Sequence, residues 1–504
     1  MLKEKYFLSL DLGTQGTKAA LVNLSGDVLF SAFSENRYTE KDDGEISIPA
    51  EELTKGVLLA TQTLLRESKA DASCIAGIAV VAMMAGIVGI DEDWNPVIPY
   101  DPGLDKRCES SIRKMQAMGE ERIIRLSGCP IIVAQGAKIY WWKENHPEVF
   151  AKIRKMIPAS TYVSGRMAGL KAEEAYIDYT HIHLTNMADT KKGCWSDELL
   201  ELFGIPEGIM PKIVAPFDVV GHVSGEWAAQ SGLKEGTPIM AGCGDTAASC
   251  LGAGLVKSNM VLDVAGTASV ITACVDEYHP DTEKKILLYP RSVIPKLFTP
   301  FGFVLGGQDM SWYHDQVNYD GGLPFDALSK ETAGVENDSL FFIPFFAGRI
   351  CPSDACFSGH WIGLKFYHGR AHMFKSIMES IGYEYRFYLK RIKEMFPGLE
   401  VKEVFTSAGG ARSEEFIRIK ADVLGLPFVQ LLQKDTSHKA AAVIAGYGTG
   451  IFKDMAEAAS EMNARSRGKT FVPDSVQAKR YGRQYRKYQE IVARLGEMHK
   501  ENIC

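Results

Sequence analysis

An apolar run, a Gly-Thr turn and a second apolar run occur twice in this chain, as "YFLSLDLGTQGTKAALV" at 6–22 and as "NMVLDVAGTASVITACV" at 259–275. Short apolar runs bounded by turn residues read as buried strands, and two joined by a glycine turn read as neighbours in a sheet. The echo suggests a duplicated domain. At 504 residues the chain is also too long for one ordinary core, and two large domains are expected. The boundary is placed near Gly254, giving domains over 1–254 and 255–504. No low-complexity linker marks it, so the halves are expected to pack against each other around a cleft.

The segments between the echoes predict an α/β fold. Ser25-Gly26-Asp27 stands between apolar runs as a hairpin turn would. "AEELTKGVLLATQTLLRES" has helical apolar spacing, and "IAGIAVVAMMAGIVGID" reads as a buried strand with a turn. "AKIYWWKENHPEVFAKIRKM" and "WSDELLELFGI" are amphipathic helical pieces. "GTPIMAGCGDTAASC" runs from a strand through a glycine turn into a helix of small residues. In the second half a long helix, "RAHMFKSIMESIGYEYRFYLKRIKEMF", precedes the strand "EVFTSAGGA" and the helix "SEEFIRIKADVLG".

Composition narrows the partners. Hydrophobic residues at 46% and charged residues at 24% are globular values, and a net charge of −7 offers no basic field for nucleic acid. A small-molecule partner is expected. No stretch approaches ~20 uninterrupted apolar residues, so no membrane span is expected. The ten cysteines are scattered. Neither Cys243/Cys250 nor Cys351/Cys356 has the spacing or the nearby histidines of a zinc site. Reduced thiols in a cytoplasmic protein are the expectation. The sequence leaves the oligomeric state open, a homodimer included.

"DLGTQGTK" at 11–18 lacks the spacing of a P-loop. Gly13 and Gly16 let the backbone turn tightly. Thr14, Gln15 and Thr17 bring hydrogen-bond donors, Asp11 can orient Mg²⁺ through water, and Lys18 adds positive charge near a phosphate. A polar hairpin accounts for the same residues. Gly266-Thr267 in the second echo favours the phosphate reading, because two such turns facing across a cleft would clamp a polyphosphate. The third piece is Gly409-Gly410, followed by Ala411 and Ser413, between a strand and a helix, where backbone can approach an adenine or ribose. Asp245, after Gly242 and Gly244, is open to two readings: a helix N-cap or a general base projecting from a fixed scaffold.

Taken in this order, the motifs resemble the FGGY family of carbohydrate kinases, xylulose-kinase-like branch, in the actin-like ATPase superfamily. The match runs from Asp11 to "YGRQYRKYQEI" at 481–491. "GHWIGLKFYHGRAHMFKSIME" at 359–379 falls on the family's second signature at Gly359, Trp361, Gly363, Leu364, His372, Met373, Ser376 and Glu379. "KIYWWKEN" at 138–145 meets the first signature less completely. The resemblance implies two ribonuclease-H-like domains with a cleft between them, ATP and Mg²⁺ in the cleft, and transfer of the γ-phosphoryl to a sugar or polyol hydroxyl, with a ketopentose as the expected acceptor. It implies Asp245 as the base, Asp11 toward the metal, and the three glycine turns toward ATP. Asp105 and Arg107 match the family's substrate-binding D-x-R, with Asp105 accepting from sugar hydroxyls and Arg107 orienting it; a solvated surface pair is the alternative. Trp312 is either a cleft aromatic or a core residue, and Gln308 and Asp309 are further polar contacts.

Three departures bear on specificity. Met84-Ala85-Gly86 stands where xylulose-kinase-like members carry Met-His-Gly, so the imidazole that would touch the sugar is missing. Arg349 stands where a glutamate is usual, and Ala440 replaces a glycine beside the adenine site. These motivate two other readings, a catalytically silent sugar or nucleotide sensor and a kinase of another ketose or polyol.

Overall fold

The computed structural model describes residues 5–40, 45–318, 322–346, 348–352, 354, 357–432 and 435–500. Its two largest sheets are six-stranded and follow one plan, and the remaining strands form two-stranded sheets. The first contains β1 (Tyr6–Leu12), β2 (Gly16–Asn23), β3 (Val28–Glu35), β4 (Ile75–Ala82), β5 (Val219–His222) and β6 (Pro238–Gly244), in the order β5-β6-β4-β1-β2-β3. The second contains β7 (Val261–Ala265), β8 (Ser269–Ala273), β9 (Phe301–Val304), β10 (Val404–Ser407), β11 (Phe428–Leu431) and β12 (Arg467–Phe471), in the order β9-β8-β7-β10-β11-β12. In each, three strands meander antiparallel, two more join the first in parallel, and the outer strand beyond them reverses. The sequence echo is therefore the first hairpin of each sheet. The turn read at 25–27 is present, with Gly26 at φ +84.

The helices that position the site are α1 (Ala50–Ser68), α2 (Gln135–Asn145), α3 (Asp245–Gly252), α4 (Gly306–Trp312), α5 (Arg370–Met395), α6 (Glu414–Leu424), α7 (Thr436–Gly448) and α8 (Ser475–Lys500). On α1, Leu53, Val57, Ala60 and Leu64 recur at helical spacing and enter the core beside Leu8, Leu10 and Leu12. On α5, Ile377, Ile381, Tyr388 and Ile392 do the same beside Val261 and Ile271. The piece at 137–156 departs from one continuous helix. Pro147 cannot donate a backbone bond, His146 leaves the helical region at φ −136, and a separate turn follows at Pro147–Phe150.

The second signature is scaffolding around α5. Trp361 Nε1 donates to Ser376 Oγ at 3.0 Å, and buried Glu379 accepts from Asn337 Nδ2 at 2.6 Å and Tyr481 OH at 3.0 Å, joining α5 to α8. Burial pushes the Glu379 carboxyl up to about 7.

After β11 the chain leaves the second sheet, and α7 lies against the first. Ala440 to Ala445 pack with Phe7, Ala20, Val22, Ala79 and Val81. Ala440 is fully buried there, so its methyl group faces packed interior. α7 meets α3 closely enough that a Cβ on Gly252 would fall 1.9 Å from the Thr436 carbonyl oxygen.

β6 carries an irregularity between Met240 and Cys243, where Gly242 takes φ +76 and a Cβ would fall 1.8 Å from Val80 O. Gly242→Ala is expected to lose about 2–4 kcal/mol of stability through strain and overpacking, read as a lower urea midpoint at unchanged slope. An unshifted midpoint would show that the strand relaxes around the methyl.

Among the described residues no helix is long and apolar enough to cross a membrane. The eight described cysteines are free thiols; Cys356 and Cys504 lie outside the described residues.

Candidate active site

Leu12 on β1, Ala82 on β4 and Gly244 on β6 stand in register across the first sheet. The chain leaving all three parallel strands therefore emerges along one edge, carrying Asp11, Met83-Met84 and Asp245. The carboxyl ends of parallel strands are where open α/β sheets bind ligands. Strand alternation then sorts the first loop. Asp11 pairs with Lys18 across the hairpin, and Leu12 pairs with Thr17. Asp11 faces α7 of the other half, accepting from Ser437 Oγ at 2.7 Å, while Ser9 Oγ lies 2.8 Å from His438 Nδ1. Lys18, Thr14 and Gln15 are exposed.

Thr17 departs from the expected role. It is fully buried on the opposite face, where a Cβ on Gly56 of α1 would fall 3.0 Å from its Oγ1. A period of two turns its hydroxyl away from any ligand that Asp11 meets. Gly13 N donates to Gly16 O at 2.9 Å, and Asn36 braces the loop by donating to Gly13 O and Gln15 O, each at 3.0 Å. Asn36 is a supporting residue that no motif marks.

Asp245 is the first residue of α3, with Gly244 at the cap position, so the N-cap reading is replaced by a first-turn placement. Its Oδ1 accepts from Thr246 N at 2.7 Å and Thr246 Oγ1 at 3.3 Å. The side chain is open to solvent on one side. Protein surrounds it otherwise, and this desolvation, followed by the negative charge of Asp11, pushes its carboxyl up to about 6. A carboxylate held near neutrality and aimed into open space suits proton transfer.

Two facing carboxylates also suit a divalent cation. Mg²⁺ is commonly held by one or two carboxylates together with substrate phosphates. Among the described residues no group of three or more His, Cys, Asp or Glu side chains forms a metal cage, while Asp11 and Asp245 supply a two-carboxylate set.

On the acceptor side, Ala85 is at φ +68, the left-handed region, and its methyl lies 3.3 Å from where a Cβ on Gly103 would be. Met84 covers Gly244, since a Cβ there would fall 2.5 Å from its sulfur. Asp105 and Arg107 are no surface pair, for Asp105 is 1% exposed. The two side chains are bound to each other. Asp105 accepts from Ile46 N at 3.0 Å, from Arg107 N at 2.9 Å and from Arg107 Nε at 2.8 and 3.0 Å. It thereby orients Arg107, whose Nη2 is buried without a hydrogen-bond partner. The guanidinium lies 4.8 Å from the Trp141 ring centroid.

The same region holds polar groups that sequence reasoning missed. Tyr100 OH and Gln135 Oε1 are buried and unpartnered, and both adjoin Gly86: Gln135 Nε2 donates to Gly86 O at 3.3 Å, and a Cβ on Gly86 would fall 2.3 Å from Tyr100 OH. Burial, then the charges of Asp245 and Asp101, push the Tyr100 hydroxyl up, so it stays a neutral donor. Lys138 is fully buried and donates to Asp101 Oδ1 at 2.6 Å and Asp105 O at 2.9 Å. Unpaired buried polar atoms are rare enough to mark a ligand surface, but the signal needs coordinates.

In the second half the two glycine turns lie close together, with the start of α4 against the first of them. A Cβ on Gly307 would fall 2.1 Å from Gly266 O, and one on Gly410 would fall 2.8 Å from the Ala265 Cβ. Gln308 N donates to Thr267 O at 3.2 Å. Gly409 is open and Ala411 is buried beneath it. Ser413 departs from the expected role: its hydroxyl caps α6 through Phe416 N at 3.1 Å and meets Ser329. Asp309 is buried with Oδ2 unpartnered, and burial pushes it up to about 8. Trp312 is partly exposed against Phe346, ring centroids 4.5 Å apart, rather than in the core. Arg349 lies 4.0 Å from Glu384, with its guanidinium over Phe345 and Phe387.

Met84 and Ala85 pack in one apolar cluster with Val264, Val270, Phe301 and Cys351 of the second half. Twin sheets joined through such contacts, with carboxylates at one set of strand ends and glycine turns at the other, make up the two-domain actin-like ATPase fold. The ligand-bound xylulose kinase from Lactobacillus acidophilus has this fold, at TM-score 0.89 and 21% identity, covering 99% of each chain. The chain belongs to the FGGY family of carbohydrate kinases: the family's N-terminal domain matches residues 6–252 and its C-terminal domain residues 263–449. It is 25% identical over 511 residues to the xylulose kinase of Lactococcus lactis, covering 99% of this chain and 98% of that one. It is 26% identical over 490 residues to the gluconokinase of Bacillus subtilis, covering 94% and 93%. A sugar kinase takes ATP as its phosphoryl donor.

Proposed function

We propose that this protein transfers the γ-phosphoryl group of ATP to a hydroxyl of a ketopentose, with Asp245 as the general base. The carrying observation is the Asp245 carboxyl itself, open on one side and pushed up to about 6 beside Asp11. A sugar hydroxyl is a poor nucleophile until its proton is accepted, and a positioned carboxylate contributes roughly 10²–10⁴ in rate. Positioning and electrostatics supply the remainder.

The N-terminal half, 1–254, holds the sugar among Met84, Ala85, Tyr100, Gln135 and Arg107, with Asp105 fixing Arg107. The C-terminal half, 255–504, holds the nucleotide along Gly266, Thr267, Gly409, Gly410 and Ala411. Gly13, Thr14, Gln15 and Lys18 face the phosphates from the first half. Bound Mg²⁺, held from Asp11, would neutralise phosphate charge. Free thiols fit a reducing cytoplasm.

Ala85 favours a second reading, a kinase of another ketose or of an aldonate, because the pocket lacks an imidazole there. ADP release measured over D-xylulose, L-xylulose, D-ribulose, L-ribulose, glycerol and D-gluconate separates the cases. Turnover on a pentulose supports the proposal, and turnover on gluconate alone replaces the acceptor. Binding without turnover on every compound would favour a sensor, and sugar-independent hydrolysis an ATPase.

The base must be ionised to act. With Asp245 at about 6, kcat/KM is expected to be level above pH 7 and to fall as pH drops through 6, about tenfold per unit below it. A profile level down to pH 4.5 would show that another group accepts the proton.

A further inference from the structure

Behind Asp245 lies a buried polar cluster that the proposed mechanism does not use. In "YIDYTHIHLT", residues 176–185, the side chains of Asp178, Thr180, His181 and His183 are all buried. Asp178 Oδ1 accepts from Thr180 N at 2.9 Å and also from the Thr180 hydroxyl, and Asp178 Oδ2 lies 2.6 Å from His181 Nδ1. Thr180 Oγ1 in turn accepts from Gly244 N at 3.1 Å.

A threonine hydroxyl has one hydrogen. With the Gly244 N–H donating to its oxygen, that hydrogen is free for Asp178, whose Oδ1 accepts from both the amide and the hydroxyl of Thr180. His181 Nδ1 lies against the other carboxylate oxygen, and its Nε2 is buried with no hydrogen-bond partner. The bonds run from Gly244 into Thr180 and from Thr180 into Asp178, and such chains strengthen one another in a low-dielectric interior. Gly244 is the residue before Asp245, at the end of a strand already interrupted at Gly242.

We propose that Asp178, Thr180 and His181 form a positioning unit for Asp245, holding the Gly244 amide so that the carboxylate projects toward the reacting hydroxyl. The inference rests on the assignment of Asp245 as the base.

The test is steady-state kinetics with ATP and the acceptor of highest turnover in the panel above. Thr180→Val keeps the shape and removes the hydroxyl. It is expected to lower kcat about 10- to 100-fold, as a misplaced reacting group does, with KM for ATP within about threefold. Thr180→Ser, which keeps the hydroxyl, should recover most of that loss. The split between a lowered kcat and an unchanged KM, with rescue by serine, is a readout that a merely structural role would not give. The proposal is overturned if Thr180→Val keeps kcat near wild type or if Thr180→Ser is as impaired as Thr180→Val. Should Thr180→Val fail to fold, Thr180→Ala measured against Thr180→Ser gives the same two outcomes. An inactive Asp245→Asn beside a fully active Thr180→Val rejects positioning only, whereas a fully active Asp245→Asn rejects the base.

Discussion

Asp245→Asn is expected to bind ATP and sugar with KM values close to wild type while kcat falls by 10²- to 10⁴-fold. Asparagine keeps the shape and the contacts with Thr246, and it cannot accept the hydroxyl proton. The substitution should not unfold the protein. The folded-state value of about 6 lies above the ~3.9 of an unfolded aspartate. The stability this group contributes is therefore full below the unfolded value and is lost as pH rises through 6. Asparagine escapes that loss, so the variant should melt no lower than wild type at pH 8. Titration with ATP, a melting curve and ADP release together check all three expectations. Turnover within threefold of wild type would remove Asp245 from the reaction.

Lys420→Met is expected to have the largest effect on stability. Lys420 and Asp263 are both 0% exposed and ion-paired within the second half. Asp263 also accepts from Tyr385 OH at 2.7 Å and Thr406 Oγ1 at 2.6 Å. Burial pushes the Lys420 ammonium down, and the charge of Asp263 opposes that. Removing the lysine leaves a carboxylate in the core with two neutral donors, and breaking a buried pair in this way costs about 3–5 kcal/mol. Asp263→Asn combined with Lys420→Met should recover part of the loss, because no lone charge remains buried. Urea denaturation of the two variants measures both. A loss under ~1 kcal/mol for Lys420→Met alone would mean that water reaches Asp263.

Much of this architecture is legible in the sequence because hydrophobic period and turn chemistry are local. β1 and β2 could be read from "YFLSLDLGTQGTKAALV", α1 from Leu53, Val57, Ala60 and Leu64, and the strand-turn-helix at Asp245 from Gly242, Gly244 and the small residues after it. The family signature at 359–379 identified the chain through residues that turn out to hold α5 in place. The misreadings are equally physical. Thr17 follows Lys18 and Gln15 in composition, but a strand alternates faces, and the pairing that puts Asp11 opposite Lys18 buries Thr17. Ser413 looked like a ligand contact because polar residues beside a glycine turn can serve either a ligand or a helix cap, and the cap was formed.

What the sequence alone determined is the set of local elements, their doubling, and the residue types a phosphoryl transfer needs at the strand ends. Periodicity and turn residues act over a few positions, so they survive without coordinates. Only the tertiary structure decided which side chains meet. It placed Ser437 on Asp11 across 426 positions, buried Asp105 against Arg107, and brought Thr180 onto the amide before Asp245. Such contacts depend on how separate elements pack, and burial and orientation, unlike period, are properties of the packed molecule.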